Sequence, residues 1–267
     1  MTEKSFKQKV WRFYKAHGRD LPWRETADPY KIWVSEIMLQ QTQVDRVIPK
    51  YEAFVKKFPT AHVLAKASLG EVLLYWQGLG YNRRAKLLHT GAKHVCKKHD
   101  GLLPKTTKKL EEIPGIGPYT AAAIQAFAFN AAVVCIETNI RTVFLYHFFP
   151  NTDEVSDAEI LPLIKKTMSQ NNPRDWYAAL MDYGAHLKRS GVSLNTKSKH
   201  YTKQKAFKGS AREIRGALVR ETLQNPRRKK DLLNLFPGRE NEVERQLQKL
   251  SKEELLTQRN GYWVPAT

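Results

Sequence analysis

Five residues near the middle of the chain, Pro114-Gly-Ile-Gly-Pro118, constrain its folding more than any other segment. An apolar helix end precedes them and an alanine-rich apolar run follows, so the segment predicts a very tight turn between two helices. Two glycines two positions apart permit such a turn because glycine tolerates left-handed backbone. They also let an anion approach the peptide nitrogens that begin the second helix, where unpaired donors and the helix dipole favour negative charge. A plain helical hairpin with a glycine cap would give the same pattern.

Apolar residues recur at helical spacing along nearly the whole chain, as they do at Phe6, Val10, Phe13 and Tyr14. Proline and glycine clusters separate one such stretch from the next. The alternation that is typical of strands is scarce until the C-terminal end, where Asn260–Gly261 predicts a hairpin turn. The pattern therefore predicts a mainly α protein.

The composition changes near residue 186. Fourteen Lys or Arg and two acidic residues fall between His186 and Lys230, and the part up to about Lys208 is typical of a solvated basic connector. Helical periodicity returns at Ser210 for three helices before the hairpin, which predicts a winged-helix-like module. The predicted division is a two-lobed helical domain over 1–205, with a central lobe over about 22–130 and a second lobe from 1–21 and 131–205, and then a basic module over 206–267.

Positive charge is in excess, because 45 Lys and Arg face 26 Asp and Glu, which gives a net charge of +19. Such a surface attracts polyanions, either nucleic acid or an anionic membrane. Hydrophobic residues make up 42% of the chain, so a sizeable core is possible and wholesale disorder is excluded. The most apolar stretch, 121–136, is too short to span a bilayer. We expect a cytoplasmic monomer, associated with the nucleoid if prokaryotic, that binds nucleic acid and no membrane.

The sequence offers few candidate metal ligands. Cys96 and Cys135 are the two cysteines, and they lie far apart in apolar segments, which excludes a disulfide framework or a paired-cysteine zinc site. The eight histidines are scattered, and His94 and His99 lack further ligands at metal-binding spacing. We predict no metal site.

The segment WVSEIMLQQTQV at 33–44 places a carboxylate, Glu36, at the edge of an apolar helical face. A carboxylate there is costly to bury and usually has a partner or a task. Gln40 and Gln41 follow one turn later, and uncharged amides suit the probing of base edges because they both donate and accept hydrogen bonds. Taken as an isolated helix, the segment would equally fit a surface Glu followed by helix-favouring Gln.

A second carboxylate, Glu137, lies where the apolar run 131–136 ends and the next helix begins, with Asn139 or Thr138 as the expected N-cap. It could be a capping charge, or it could face a pocket shared with Glu36. Two acidic groups that flank a scissile bond are what glycosidic cleavage requires, since one protonates the leaving group and the other stabilises the cationic centre or activates water. Spacing alone leaves the distance between Glu36 and Glu137 open.

These motifs, in this order, resemble the helix–hairpin–helix DNA glycosylases of the endonuclease III superfamily, in particular the adenine DNA glycosylases of the MutY type. The resemblance runs from about Gln8 to Ala185. The segments that carry it are LPW at 21–23, PYKIWVSEIMLQQTQV at 29–44, WQGLGYNRRAK at 76–86, IPGIGPYTAAAI at 113–124 and MDYGA at 181–185.

The resemblance implies a role for each matching residue. Glu36 would be the general acid that protonates the departing purine, and Tyr81 would probe or wedge the duplex around the flipped base together with two glutamines. The turn from Ile113 to Pro118 would hold one DNA phosphate without reading sequence. Surface charge and phosphate contact are equally plausible for Arg83, Arg84 and Lys86. The residues expected to contact DNA are Gln40, Gln41, Tyr81, Arg83, Ile113, Gly115, Gly117 and Lys188.

Two further positions define the chemistry that the resemblance implies. Tyr119 stands where strand-cleaving relatives carry a Schiff-base lysine, so we expect no covalent imine and an abasic site as the product. Glu137 stands where the family has a catalytic Asp, and held beside Asn139 it would stabilise the cationic sugar and steer water. Its carboxylate is one methylene further out, in a kind of site where a displacement of about 1 Å can cost roughly 100-fold in rate.

The sequence departs from the family in two other ways. Many relatives bind an iron–sulfur cluster through four cysteines after the MDYGA motif, and the matching positions here are Lys188, Asn195, Ser198 and Gln204, so we expect no cluster. We expect the lysine-rich loop to contact phosphates unaided. We expect no counterpart of the family's C-terminal domain that reads oxidised guanine, and the winged-helix-like tail is not assumed to replace it. We expect the basic tail to add nonspecific affinity.

The resemblance implies a monofunctional DNA glycosylase of base excision repair. Its expected reaction is hydrolysis of the N-glycosidic bond of adenine opposite guanine or 8-oxoguanine, after the base has been extruded from duplex DNA. An alternative within the superfamily is the removal of uracil or thymine mispaired with guanine. The replacement of Asp by Glu137 motivates a third hypothesis, a non-catalytic protein that binds lesions.

Overall fold

The computed structural model describes residues 1–192, 194–199 and 206–266, and most of these residues are helical. In the first half of the chain the helices are α1 (Glu3–His17), α2 (Pro29–Leu39), α3 (Val44–Lys57), α4 (Ala61–Lys66), α5 (Leu69–Trp76), α6 (Arg83–His99) and α7 (Thr107–Glu111). In the second half they are α8 (Pro118–Phe129), α9 (Thr138–Phe148), α10 (Asp157–Thr167), α11 (Pro173–Arg189), α12 (Ala211–Gln224), α13 (Lys229–Leu233) and α14 (Glu240–Lys252). The prediction of a mainly α fold is confirmed.

Local sequence sets where several helices begin. Ser68 and Glu71 form a capping box at the start of α5, in which the serine hydroxyl accepts from the Glu71 N–H and the Glu71 carboxylate accepts from the Ser68 N–H. Ser156 and Glu159 form the corresponding pair at α10. Each pair satisfies amide donors that the first turn of a helix leaves without intrahelical partners.

The chain divides into two compact units. The first comprises Met1–Trp33, Lys105–Glu111 and Ile116–Lys203. Its core is rich in aromatic side chains, since the Phe6 ring lies 5.2 Å from Phe144 and 6.1 Å from Trp176, and all three are fully buried. Helices α9 and α11 form the most extensive helix pair of this unit, and α1 packs against α11.

The second unit comprises Val34–Pro104, Glu112–Gly115 and Gln204–Thr267. Its core includes the fully buried side chains of Phe54, Leu64 and Trp76. The predicted C-terminal module belongs to this unit, with α12 packed against both α14 and α5. Whether 206–267 also folds on its own, as the predicted boundary implies, stays a prediction.

A small antiparallel sheet completes the C-terminal module, with strands β1 (Arg227–Arg228), β2 (Leu256–Arg259) and β3 (Tyr262–Pro265) in the order β1-β3-β2. Arg227 pairs with Trp263, and Gln258 pairs with Trp263 from the other side. Asn260 and Gly261 connect β2 to β3 with φ angles of +50° and +80°, the left-handed backbone that a two-residue hairpin turn requires. The predicted hairpin is therefore confirmed, and three helices accompany it.

None of the described helices combines the length and the apolar character that crossing a lipid bilayer demands.

Candidate functional site

The turn between α7 and α8 depends on Gly115. This residue has a φ of +87°, and a Cβ added to it would lie 2.8 Å from the Cβ of Leu87. Both the backbone conformation and the close approach of Leu87 therefore require glycine here. The tight turn that the sequence predicts is confirmed.

Gly117 has a different task in the same turn. It is the N-cap of α8 and has an extended backbone. A Cβ added to Gly117 would have no neighbouring heavy atom within 4 Å. Pro118 follows at the first helical position, where its fixed φ suits a helix start. Gly117 is thus exposed and uncrowded at the start of α8. Ile113 and Ile116 are buried and anchor the turn, so Ile113 can contact a phosphate only through its backbone.

Glu36 lies in α2 within an uninterrupted run of buried residues, 32–38. Its side chain is 7% exposed, and its neighbour Ser35 is fully buried. The helix therefore presents this carboxylate in sheltered surroundings rather than at the solvated edge where an ordinary surface glutamate would lie. Gln40 and Gln41 follow the end of α2, and Gln41 is exposed with a φ of +54°.

Arg84 organises the end of α2. Its Nη1 donates to the carbonyl oxygens of Ile37 and Met38, at 2.9 Å each, and also to that of Gln40. Its Nη2 donates to Oγ1 of Thr42 at 3.0 Å. These carbonyls belong to the last turn of a helix, where no intrahelical N–H reaches them, so the guanidinium acts as their cap.

The same guanidinium also holds the loop before α6. Nη2 donates to the carbonyl oxygens of Leu79 and Gly80, at 3.1 and 3.2 Å. Burial lowers the pKa of Arg84 to about 10, so the group stays charged at neutral pH. The expectation that Arg84 is a surface charge or a phosphate contact is wrong, because its donors face inward to carbonyl groups. Arg84 fixes the segments that carry Gln40, Gln41 and Tyr81.

The neighbouring basic residues differ from Arg84. Lys86 Nζ donates to the carbonyl oxygen of Glu253 at 2.6 Å and to Oε2 of Glu254 at 2.5 Å. It is therefore a partly exposed, ion-paired surface charge, and its contact with a phosphate stays a prediction. It joins α6 to the C-terminal module within the second unit. Arg83 is exposed and stays a predicted DNA contact.

Glu137 caps α9. Its Oε1 accepts from the N–H groups of Asn139 and Ile140, at 2.7 and 2.8 Å, and its Oε2 accepts from Nδ2 of Asn139 at 3.3 Å. The prediction that Asn139 or Thr138 is the N-cap is wrong, because the extended backbone of Glu137 lets its longer side chain reach both first-turn amides. The carboxylate is thus held in one orientation.

Lys188 of α11 completes this cluster by donating from Nζ to Oδ1 of Asn139 at 2.8 Å. Burial raises the pKa of Glu137 above its ordinary value, and the two N–H donors and the charge of Lys188 oppose this only in part. Burial likewise lowers the pKa of Lys188, which the charge of Glu137 counteracts in part. The structure therefore brings Glu137, Asn139 and Lys188 together, although the sequence separates Lys188 from the other two.

The MDYGA segment explains how α11 reaches this cluster. A Cβ on Gly184 would lie 2.2 Å from the carbonyl oxygen of Asn139, so the absence of a side chain allows α11 to contact the backbone of α9. Two residues earlier, the buried Asp182 accepts hydrogen bonds from Arg19 and Arg24. No local pattern predicts that Gly184 contacts Asn139, because the two residues lie far apart in the chain.

Tyr119 lies in the first turn of α8, where it is partly buried and packs against the core of the first unit. Tyr119, Glu137, Asn139, Lys188 and Gly117 all belong to the first unit. The remaining candidate residues belong to the second unit; they are Glu36, Gln40, Gln41, Tyr81, Arg83, Ile113 and Gly115.

At two of the positions that the resemblance matches to the cluster cysteines of relatives, the structure shows other contacts, and the absence of an iron–sulfur cluster stays a prediction. Lys188 is engaged with Asn139, and Ser198 is buried in a parallel bridge with Val155. Gln204 lies outside the described residues. Next to Ser198, Lys197 donates a hydrogen bond from Nζ to the carbonyl oxygen of Pro150 at 2.9 Å. In the described part of the chain, no group of three or more His, Cys, Asp and Glu side chains is placed to hold a metal ion.

Residues 34–166 match the family model of the HhH-GPD superfamily of base excision DNA repair proteins. Two curated relatives are named adenine DNA glycosylase. The protein of Buchnera aphidicola subsp. Baizongia pistaciae (strain Bp) is 34% identical over 233 residues, which are 83% of this chain and 66% of that protein. The protein of Mycolicibacterium smegmatis (strain ATCC 700084 / mc(2)155) is 38% identical over 175 residues, which are 65% of this chain and 60% of that protein.

Among solved structures, that of a thermostable thymine-DNA glycosylase superposes with a TM-score of 0.64 at 26% identity, covering 74% of this chain and 96% of that one. The chain belongs to the HhH-GPD superfamily of base excision DNA repair proteins, and the resemblance seen in the sequence is confirmed. It spans somewhat less than two thirds of the length of the two curated relatives.

Proposed function

We propose that this protein is a DNA glycosylase of base excision repair that hydrolyses the N-glycosidic bond of adenine opposite guanine or 8-oxoguanine in duplex DNA. The observation that carries the proposal is the burial of Glu36 in α2, within the segment that resembles adenine glycosylases. A sheltered carboxylate is suited to general acid catalysis because it can deliver a proton to a leaving purine away from bulk water.

Glu137 supplies the second role. As the bond between base and sugar breaks, positive charge develops on the sugar, and a carboxylate held in a fixed orientation stabilises that charge without reorganising. The N–H groups of Asn139 and Ile140 fix the Glu137 carboxylate in this way. Asn139 is itself held by Lys188, which supports a task in orienting the attacking water.

The DNA-binding role draws on the turn around Gly117 and on the loops that Arg84 holds. The open N-terminus of α8 suits one phosphate, because backbone N–H groups and the helix dipole favour an anion there. The exposed side chain of Gln41 and the 36% exposed ring of Tyr81 suit contacts with an opened base pair. Such contacts belong to a mechanism in which the target nucleotide leaves the stack before chemistry.

The product proposed is an abasic site in an intact strand. Tyr119 has no amine, so it cannot form the imine through which bifunctional relatives cleave the strand. The enzyme is proposed to act without an iron–sulfur cluster, as a monomer, in the cytoplasm or on the nucleoid. Trapping with borohydride tests whether the protein lacks lyase activity. A lyase would be captured covalently on DNA, and this protein is expected to yield no such adduct.

A panel of duplexes tests the reaction. Substrates that carry one A·G, A·8-oxoguanine, U·G or T·G pair are incubated with the protein and then cleaved at abasic sites with alkali. Cleavage of the adenine strand in the first two duplexes supports the proposal. Binding to any duplex without an abasic product would leave only a non-catalytic lesion-binding protein.

The thymine-DNA glycosylase neighbour favours a second candidate, the removal of thymine or uracil opposite guanine. This chain covers 96% of that protein, a far larger share than it covers of either adenine glycosylase relative. Cleavage of only the U- or T-containing strand in the panel would select this candidate and exclude the adenine reaction.

Glu36→Gln tests the acid assignment within the same assay. The amide has the same size but delivers no comparable proton, so we expect base release to fall at least 100-fold while DNA binding is kept, as is usual for loss of general acid catalysis. Glu52→Gln on the exposed surface of α3 is the matched control and should retain full activity. Normal turnover by Glu36→Gln would exclude Glu36 as the acid.

A further inference from the structure

Arg212, on α12 of the C-terminal module, contacts Tyr81 on the loop before α6. Its Nη1 donates to Oη of Tyr81 at 3.0 Å, and its guanidinium carbon lies 5.7 Å from the centre of the tyrosine ring. The two residues are separated by 131 positions in the chain but belong to the same compact unit. The contact therefore exists only because the C-terminal module packs against this part of the fold.

The ring of Tyr81 is held from several directions. The Arg84 guanidinium lies 5.4 Å from the ring centre, and the backbone of Tyr81 has a φ of +48°, which non-glycine residues adopt only when their surroundings hold them there. The side chain is nevertheless 36% exposed. Tyr81 thus presents an ordered aromatic surface to solvent, next to two positive charges.

Helix α12 is fixed relative to Tyr81 by contacts of the module. Arg215, one turn after Arg212, forms an ion pair with Glu253 at 2.6 Å, and Lys86 of α6 bonds to the adjacent Glu254. Gly70 of α5 lies against Pro265 of β3, where an added Cβ would lie 3.5 Å from the proline side chain. Arg212 therefore contacts Tyr81 because the C-terminal module is packed against α5 and α6.

Several other cations of the module have carboxylate partners within it. Arg227 pairs with Glu221, Lys229 with Glu244 and Arg239 with Glu242. These ion pairs offset part of the positive charge of the module. Arg212 places its guanidinium against an exposed aromatic ring, an arrangement that suits the stacking of a nucleobase.

We propose that Arg212 is a positioning residue for Tyr81, and that through it the C-terminal module takes part in extruding the target nucleotide. This inference rests on the proposed function. A ring that enters a base stack does so faster if it is already ordered, since less side-chain entropy is lost on insertion. The hydrogen bond to Oη and the adjacent guanidinium supply that order.

A double-mutant cycle tests the coupling, using Arg212→Ala, Tyr81→Ala and the double variant. The readouts are single-turnover base release at saturating enzyme and the fluorescence of 2-aminopurine placed beside the target base, which reports extrusion. We expect Arg212→Ala to lower the rate of base release and the rate of extrusion by about tenfold each. That is the effect expected for the loss of one charge-assisted hydrogen bond with a cation–π contact. In the Tyr81→Ala background the same change should have less than about a twofold effect.

Arg220→Ala is the matched control, since Arg220 is an exposed arginine on the same helix, and it should leave extrusion unchanged. Arg212→Lys keeps the charge but loses the planar donor, so it should retain the salt dependence of DNA binding without restoring extrusion. Thermal melting of each variant checks that the fold is intact.

Independent effects of Arg212→Ala and Tyr81→Ala would overturn the inference, and so would full rescue of extrusion by Arg212→Lys. Either result in an active wild-type enzyme leaves the proposed function standing. A wild-type protein that neither extrudes nor releases a base from any duplex of the panel would overturn both.

Discussion

The Asp182 carboxylate accepts a hydrogen bond from each terminal nitrogen of Arg24, both at 2.8 Å, in a bidentate ion pair. This carboxylate is almost fully buried. Arg19 adds its backbone N–H and its Nε to the same carboxylate. Through these bonds α11, which also carries Gly184 and Lys188, is joined to the segment that follows α1. The ion pair therefore supports the helix that shapes the Glu137 cluster.

Asp182→Asn should lower the free energy of unfolding by about 3 kcal/mol at neutral pH, because it leaves a sheltered guanidinium without its counter-charge. Burial alone would raise the pKa of Asp182, but the hydrogen bonds and charges of Arg24 and Arg19 outweigh it and hold the pKa below the ordinary 3.8. A lowered pKa means that the stabilisation is present above that ordinary value and is lost as the pH falls through the folded-state pKa. Urea titrations of both proteins should show their difference shrinking below about pH 4; a difference that does not change with pH would contradict this assignment.

Gly184→Ala should destabilise the first unit by more than about 2 kcal/mol, because the new methyl group would collide with the backbone carbonyl of Asn139. Gly216→Ala is the matched control, since Gly216 lies inside α12 with open space around it. There the helix propensity of alanine should add roughly 0.5–1 kcal/mol. Chemical denaturation measures both, and a neutral result for Gly184→Ala would mean that α11 does not need this close contact.

Substituting alanine for each of the two glycines in the turn before α8 should affect different properties, stability at Gly115 and DNA binding at Gly117. Gly115→Ala should lower the free energy of unfolding by about 1–3 kcal/mol, since φ is +87° and Leu87 blocks the added methyl. Gly117→Ala should leave stability within about 0.5 kcal/mol, yet it should weaken DNA binding several-fold because the methyl group obstructs the phosphate. Melting curves and fluorescence anisotropy with a duplex separate the two effects. Unimpaired DNA binding by Gly117→Ala would remove this turn from the interface.

Arg83 and Arg84 are adjacent in sequence, and their alanine variants should fail in different assays. Arg84→Ala should destabilise the protein by about 3 kcal/mol, since several carbonyl groups lose a charged donor in a buried site. Arg83→Ala should change stability by less than about 0.5 kcal/mol. If Arg83 contacts a phosphate, its removal should reduce the slope of log affinity against log salt concentration by about one unit. An unchanged slope would show that Arg83 only contributes surface charge.

The pH dependence of the rate of base release should report the ionisation of the Glu137 carboxylate. Its raised pKa means that the ionised carboxylate forms only above the ordinary value of 4.5, so the rate should decline on the acid side at a pH higher than that value. The charge of Lys188 lowers this pKa, and Lys188→Met should therefore move the decline to still higher pH. Arg189→Met removes a charge from an exposed neighbour and is the control. A profile that stays in place in Lys188→Met would show that another group controls the acid side.

Local sequence determined a large part of this protein. The helical class, the hairpin at Asn260–Gly261 and the tight turn at Gly115 follow from periodicity and from backbone conformations that few residues other than glycine and asparagine adopt. Such preferences act between residues a few positions apart, so the sequence displays them directly. The order of the motifs also indicated the superfamily.

Tertiary structure alone decided what individual polar groups do. Arg84 caps carbonyls 44 to 47 positions earlier in the chain, and Lys188 bonds to Asn139 across 49 positions. Adjacent basic residues such as Arg83 and Arg84 look alike in sequence, yet one is exposed and the other buried. The reason is physical: the cost of desolvating a charge depends on which distant backbone groups the fold brings within hydrogen-bonding distance of it.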